Sequence, residues 1–341
     1  MDTIPRHGPL LVGMLALLSW IPVAAQEGAG VVPEKSALSA RTDPQGQVVL
    51  AEGGRPVLKY QARRVELPAG YFEQVAEGNR IYARPRSGYV HPLYGLDGEE
   101  LTLDWSVDHP HHRGIYWAWP EVRFGEKAGD LHALQNVYSR PVGEPALTDA
   151  DGFARIEAKN LWLFEDETPV VFERVAITAH APSEQGSRVI DLDLRFEALV
   201  EGVSLARRGT NQYGGLNVRL APVEGLVFGH HTESDPSPLA WSSATGTWKG
   251  GRRVTTLAIL EHPSNPEFPG DFITYEYLPW FQPTFPRPET RFLLKPGRPL
   301  DLRYRFLILP GEADAELLAA ACDRYGETET ALSRTNADET K

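Results

Sequence analysis

Arg188-Val189-Ile190-Asp191-Leu192-Asp193-Leu194-Arg195-Phe196-Glu197 alternates apolar with charged residues. Successive side chains of a strand point to opposite faces, so the stretch reads as a half-buried β-strand with Leu192, Leu194 and Phe196 turned to a core. Asp301-Leu302-Arg303-Tyr304-Arg305-Phe306-Leu307 repeats the pattern. Residues 153–164 and 169–179 are two further β-like runs joined by the turn-like Glu165-Asp166-Glu167-Thr168, which predicts a hairpin. Helical period is found only over residues 312–325, after Pro310-Gly311, where Glu312, Ala313 and Asp314 make an acidic first turn. The 31 Gly and 28 Pro are spread along the chain, which suits many strands and turns in place of a linker between domains. A parallel α/β sheet needs a helix after most strands, and those patterns are missing. The expectation is an all-β chain: one large antiparallel β-sandwich with a C-terminal helix.

At the N-terminus, Arg6 and His7 precede an apolar stretch at residues 10–20, and the small-residue site Val23-Ala24-Ala25 follows. This is the pattern of a signal peptide cleaved after Ala25, and it predicts a periplasmic or extracellular protein. The stretch is too short for a membrane span and is interrupted by Gly13, Ser19 and Pro22, and no later segment offers the ~20 apolar residues a spanning helix requires. Residues 26–45, rich in Gly, Ala, Ser and Pro, read as a flexible leader. Residues 46–327 read as the β-sandwich domain, and the polar residues 328–341 as a disordered tail.

Loss of residues 1–25 removes one acid, Asp2, and one base, Arg6, so the net charge of −12 belongs to the mature chain. No Lys/Arg run offers a basic face, which argues against nucleic acid and against an anionic membrane surface. Cys322 is the only cysteine, so no internal disulfide forms, and its Ala and Leu neighbours mark it as a buried apolar side chain and not a catalytic thiol. Stability has to come from a hydrophobic core, for which the chain is long enough. No repeat of fixed period and no Walker, Rossmann or nucleophile-elbow motif is present.

Reactive groups are densest in Asp108-His109-Pro110-His111-His112-Arg113-Gly114, flanked by His91-Pro92-Leu93-Tyr94 and by Trp117 and Trp119. In an extended segment His109 and His111 point to one face and His112 to the other, with Pro110 placing the cluster at a strand edge or in a loop entering a strand at residues 115–119. As a catalytic site, His111 is the expected proton-transfer residue, with His109 and Asp108 positioning it and Arg113 holding an oxyanion or carboxylate. His91, His112 and Trp117 are expected to contact substrate, and Trp117 or Trp119 to stack on a sugar ring. The competing reading is a polar network that merely fixes a loop. A third is a divalent metal held by His109 and His111 with His91, His230 or His262 as the third ligand.

Other segments carry polar groups that a sandwich core does not need. In Asn211-Gln212-Tyr213-Gly214-Gly215-Leu216-Asn217-Val218-Arg219 the glycines allow a sharp turn or a close backbone approach, and the amides suit hydroxyls. Glu261-His262-Pro263-Ser264-Asn265-Pro266 ends the apolar run at residues 257–260 with a stiff loop, so His262 and Asn265, with Asn211, are the expected hydroxyl contacts. Each segment reads equally well as an ordinary turn. His230-His231 is a weak candidate, since its side chains diverge in a strand. Residues 268–285 carry Tyr275, Tyr277, Trp280 and Phe281, either an aromatic wall for a ligand or a covering loop.

Taken together, His91-Pro92-Leu93-Tyr94, the 108–114 motif, Tyr213-Gly214-Gly215-Leu216-Asn217-Val218-Arg219, the 261–266 block and the run from Tyr304-Arg305-Phe306 to Pro310-Gly311 resemble a bacterial family of unknown function labelled methane oxygenase PmoA-like. The resemblance covers residues 55–325. It implies a β-sandwich or supersandwich, galactose mutarotase-like in outline, and an exported protein that accompanies sugar-catabolic machinery. It supplies no established catalytic residues, and the chain departs from the pattern over residues 272–280. A true methane monooxygenase is a membrane-embedded copper complex, so the label is not read as an activity.

The function expected from sequence is therefore a secreted carbohydrate-active enzyme performing His-centred acid/base chemistry on a sugar or sugar derivative, of lyase, hydrolase or epimerase type. Its partner is a small-molecule or oligosaccharide ligand. The alternatives are a non-catalytic carbohydrate-binding protein and a metal-dependent oxygenase or hydrolase.

Overall fold

The Arg188–Ala198 strand sits in the middle of a sheet, hydrogen-bonded to Thr168–His180 on one side and Leu300–Pro310 on the other. Leu192, Leu194 and Phe196 are buried as the alternation requires, and each such side chain contributes roughly 1.5–3 kcal/mol of burial free energy. The charged residues on the opposite face meet opposite charges at the same register positions of the Leu300–Pro310 strand. Asp191 lies across from Arg305, Asp193 from Arg303 and Arg195 from Asp301, and all three pairs are ion pairs at 2.6–3.0 Å. Cross-strand pairing of this kind fixes register, because a one-residue slip would place every leucine among charges.

The structure is a computed structural model that describes residues 38–183, 186–231, 240–275 and 277–332. The signal-peptide region lies outside the described residues. The sheet just introduced has nine strands, in the order Val223–His230, Trp241–Trp248, Thr255–Glu261, Leu300–Pro310, Arg188–Ala198, Thr168–His180, Phe153–Phe164 and Val137–Pro141, with Ala146–Ala150 also beside Phe153–Phe164. The expected hairpin is formed by Phe153–Phe164 and Thr168–His180, turning through Glu165 and Asp166 at positive φ. An eight-stranded sheet runs Leu38–Thr42, Val48–Glu52, Arg55–Tyr60, Val90–Leu93, Ile115–Ala118, Gly215–Arg219, Trp280–Pro283 and Phe272–Tyr275. A four-stranded sheet holds Phe292–Leu294, Val203–Ala206, Glu121–Phe124 and Lys127–Gly129. All pairings within these sheets are antiparallel, and the fold is a β-sandwich with a C-terminal helix.

The two large sheets enclose the core. Leu58, Val90, Leu93 and Ile115 of one meet Ile177, Ile190, Leu192 and Phe306 of the other. A buried carboxylate is among the polar groups that join them: Glu173 accepts hydrogen bonds from Trp117 Nε1 of the eight-stranded sheet and from Trp162 Nε1 and Asn160 Nδ2 of its own.

The helix spans Ala315–Gly326, beginning later than the acidic run because Asp314 caps it, accepting from Leu317 N at 2.7 Å. It buries Leu318, Ala321, Cys322 and Tyr325 against Trp241, Ala258, Leu260 and Leu307. Burial pushes the Cys322 thiol up to about 12, so it is inert at neutral pH. Two boundaries differ from expectation. Leu38–Thr42, assigned to the leader on composition, pairs with Val48–Glu52. Thr328, Ala331 and Leu332, assigned to the tail, dock on the ion-pair face, Thr328 accepting from Arg303 and Ala331 N donating to Asp193 at 2.8 Å. Among the described residues no helix is long and apolar enough to cross a membrane.

Glu173→Gln leaves one acceptor oxygen where two indole N–H groups and an amide converge. The expected loss is about 1–3 kcal/mol, read as a lower urea midpoint at unchanged slope. An unchanged midpoint would mean that this contact does not hold the sheets together.

Candidate functional site

The site is built on the face of the eight-stranded sheet that turns away from the sandwich core. Alternation sends Ile115 and Trp117, Leu216 and Val218, and Phe281 into the core, and leaves Tyr116, Asn217, Arg219, Trp280 and Gln282 on the other face. Register sets Asn217 opposite Tyr116 and Arg219 opposite Trp280. None of these five is more than 5% exposed, because the loops at 105–113, 130–135 and 207–213 cover them. Several of their polar atoms have no partner: Arg219 Nε and Nη1, Trp280 Nε1 and both amide atoms of Gln282. Unpartnered buried polar groups are costly and concentrate at functional sites.

The first covering loop carries the histidine motif, and it is a turn, not the extended segment expected. His112 N donates to His109 O at 2.9 Å, with Pro110 at the second turn position, where its fixed φ is favoured. The turn gathers the three imidazoles that an extended chain would divide between two faces. His109 and His112 stack at 4.8 Å between ring centroids, and His111 and His112 meet edge-on at 4.6 Å. Gly114 ends the turn at φ +61°, where a Cβ would stand 2.3 Å from the Val90 carbonyl oxygen, so only glycine fits.

The second loop brings a histidine the sequence reading passed over. His132 lies in the tight turn at 130–135, closed by reciprocal Asp130–Gln135 backbone hydrogen bonds and by Asp130 Oδ1 accepting from Ala133 N at 2.8 Å. Its ring stands 5.1 Å from His111 and 5.5 Å from His112, and its Nε2 is 2.8 Å from the Tyr116 hydroxyl. The buried Arg86 guanidinium ties the loops together, donating to Leu131 O at 2.9 Å, His132 O at 3.0 Å and His111 O at 3.5 Å. The available signal was an imidazole between Leu131 and Ala133 in an otherwise apolar run.

Burial sets the charge of the cluster. It pushes His111 down to about 3, with help from His109 and Arg86. Burial and the neighbouring imidazoles likewise hold His112 and His132 well below the usual histidine range. Burial thus favours the neutral form of all three rings, which works against the proton-transfer role expected of His111. For Asp108, burial raises the carboxyl, but Arg219 at 3.1 Å and His109 at 3.2 Å more than offset it and keep it ionised.

Above the cluster lies a cavity of about 380 Å³. Asp108, His109, His111 and His112 line one side, and Tyr82, Tyr213, Tyr275, Tyr277 and Trp280 form aromatic walls. Tyr275 and Trp280 are stacked at 5.0 Å and 11°, and His112 stacks on Trp280 at 4.8 Å. Asn79, Arg208 and Gln212 complete the rim. Gly215, at φ +116°, lets the sheet close beneath this wall, since a Cβ there would stand 3.1 Å from Phe285 N and 3.2 Å from Pro283 O. The close backbone approach expected of the glycine pair thus occurs.

The remaining expected site residues lie elsewhere. Arg113 is buried in an ion pair with Asp104, donates to Tyr89 and packs over Trp105, so its charge is spent inside the fold. Trp117 and Trp119 point into the core, bonded to Glu173 and to Phe285 O, and present no stacking face. His91 bonds Thr102 Oγ1 at 3.1 Å, away from the cavity. Asn211 is exposed beside the cavity rim without lining it. His262 and Asn265 fasten the Arg303 strand and the C-terminal helix, His262 meeting Arg303 at 2.9 Å and Asn265 bonding the Arg303 backbone on both sides. Among the described residues none of His91, His230 and His262 joins His109 and His111, and the expected pair itself does not hold: the imidazoles whose nitrogens come close enough to share one ion are His111, His112 and His132, without His109.

A scan of protein-family models matches residues 47–323 to a Family of unknown function (DUF6807), and the chain belongs to that family. A search of curated proteins finds no match.

Glu261, beside His262, accepts from Gly270 N at 2.7 Å in a fully buried pocket, where burial raises its carboxyl from 4.5 to about 7. A raised folded-state value contributes stability that is complete below about 4.5 and lost as pH rises through about 7. Glu261→Gln cannot ionise. Its stability relative to the parent is expected to improve by roughly 3 kcal/mol over that interval, measured by urea unfolding at a series of pH values. A pH-independent difference would show that the carboxyl is not shifted.

Proposed function

We propose that this member of a family of unknown function is an exported carbohydrate-active enzyme that carries out proton-transfer chemistry on a sugar or sugar derivative in the cavity above the histidine cluster. The observation that carries the reading is the cavity itself. Its volume lies within the range of small-ligand sites, and it joins flat aromatic faces to convergent polar groups. Aromatic rings take up the apolar C–H face of a pyranose, while amides, guanidinium and carboxylate suit its hydroxyls. Tyr275 and Tyr277 supply the stacking surface, with the buried Trp280 backing Tyr275, and Arg208, Gln212 and Asn79 the polar rim. Asp108 and His109, paired at 3.2 Å on the cavity wall, are the groups placed to exchange a proton with the ligand, in the role the sequence assigned to His111.

The narrower likeness to the PmoA-like family, which implies association with sugar catabolism, and the signal-peptide pattern before Gln26 support the same assignment. The competing reading, a carbohydrate-binding protein without turnover, draws on the same walls and differs in leaving Asp108 and His109 dispensable.

The test is a thermal-shift and calorimetric screen of the full chain against monosaccharides, oligosaccharides, uronates and keto-sugars, with turnover followed by NMR. Tyr275→Ala is expected to weaken binding of the active sugar about tenfold or more, equivalent to ~1.4 kcal/mol. His109→Gln and Asp108→Asn are expected to lower kcat by about 10²–10⁴ while leaving affinity nearly unchanged. Binding without turnover would leave the non-catalytic reading, and a panel with no binder would overturn both. N-terminal sequencing of the exported protein is expected to begin at Gln26, and retention of residues 1–25 would refute export by this signal.

A further inference from the structure

We infer that His111, His112 and His132 form a binding site for a divalent transition metal, with an open coordination position facing the cavity. One ring nitrogen from each lies within 4.8 Å of those of the other two. A tetrahedral ion bonded at ~2.0–2.1 Å holds its nitrogens roughly 3.3 Å apart, so the rings must turn inward slightly. The His111 side chain can do so, being half-buried and making no hydrogen bond among the described residues.

A second observation points the same way. The Nδ1 atoms of His111 and His112 are buried without a partner. A histidine that merely satisfies a loop would bond a carbonyl or carboxylate through such an atom, as His91 does with a hydroxyl. The Nε2 of His132, by contrast, is engaged by the Tyr116 hydroxyl at 2.8 Å. In a ligating imidazole an outer hydrogen bond of this kind on one nitrogen orients the ring so that the other can bind the ion. Arg86 fixes the two ligand-bearing loops to each other through their backbone carbonyls, so the donors are set before any ion arrives.

The donor set names the metal class. Three imidazoles suit zinc, copper, iron or nickel, whereas magnesium and calcium require oxygen donors. Structural zinc sites are closed by four protein ligands, and catalytic ones keep three plus an open position. His111 and His112 both line the cavity, so the open position lies where an oxygen of the bound molecule would reach it. The ion would there polarise a hydroxyl or carbonyl oxygen. The site rests on these residues alone and holds whatever ligand the cavity takes.

The test is made on the full chain, freed of metal by chelation and then titrated with cobalt(II) and zinc(II) in the absence of any sugar. About one equivalent is expected to bind, cobalt giving the visible absorption of a four- or five-coordinate ion. His111→Ala and His132→Gln are each expected to abolish stoichiometric uptake, and His230→Ala, outside the cavity, to retain it. Tyr116→Phe is expected to bind about 10- to 100-fold more weakly with the cobalt spectrum preserved, the size of loss typical of an outer-shell partner. No stoichiometric uptake, uptake surviving the His111→Ala/His132→Gln pair, or equal uptake of magnesium would overturn the proposal. Should His132→Gln fail to fold, His111→Ala gives the same readout from a ring that bonds nothing. Metal uptake without any sugar-induced shift would refute the carbohydrate assignment and keep this site; a sugar-induced shift in chelated protein that takes up no metal would do the reverse.

Discussion

Every strand has two faces, and the strands at the middle of the eight-stranded sheet use both. Ile115, Trp117, Leu216, Val218 and Phe281 fill the sandwich core, and the intervening Tyr116, Asn217, Arg219, Trp280 and Gln282 have to go to the other side. Left in water they would make an ordinary polar sheet face. Here three loops fold over them and exclude solvent, and a buried polar surface with unpartnered atoms results. Such a surface costs stability unless something completes it. The cavity, the histidine cluster and the aromatic walls all follow from that one covered face.

Charge is distributed within this region with a clear division. Arg86 and Arg113 are buried cations whose donors are directed to backbone carbonyls or to Asp104, so they hold loops in place. Arg219 is paired with Asp108 at the cavity wall, and Arg208 joins Asp130 and Tyr213 at the rim. Between these cations sit imidazoles that burial keeps uncharged. A neutral histidine among cations is a poor proton acceptor. On the proposed reading His111 binds an ion, and proton exchange falls to Asp108 and His109 on the cavity wall.

The block Glu261-His262-Pro263-Ser264-Asn265-Pro266 shows how motif density alone misleads. It reads like a binding loop, with an acid, an imidazole and an amide between prolines. In the fold it is a structural joint: Asn265 and His262 secure the Arg303 strand, and Tyr325 of the helix packs edge-on against His262 at 4.9 Å. The same residue types in the 108–112 turn face a cavity because a different element lies opposite them. Polar clusters report that a buried network exists, and only the packing partner tells whether it closes on the protein or opens toward a ligand.

The sequence by itself determined what depends on local periodicity. Alternation in residues 188–197 and 301–307, the hairpin at 153–180, the helix near 312–325 and the burial of Cys322 were all legible, since each is set by neighbours two to four positions away. It also marked the 108–114 segment as chemical and residues 268–285 as either an aromatic wall or a covering loop. Tertiary structure alone decided which of those groups meet. Whether His109, His111 and His112 share a side depended on a Pro110 turn in place of a strand, and His132 joined them only because Arg86 clamps two loops 20 residues apart. Arg113, Trp117, His262 and Asn265 were removed from the candidate site by partners distant in sequence, Asp104, Glu173 and Arg303 among them. Side-chain alternation is written in the chain at short range, whereas the face opposite a given residue is set by long-range pairing, which no local pattern encodes.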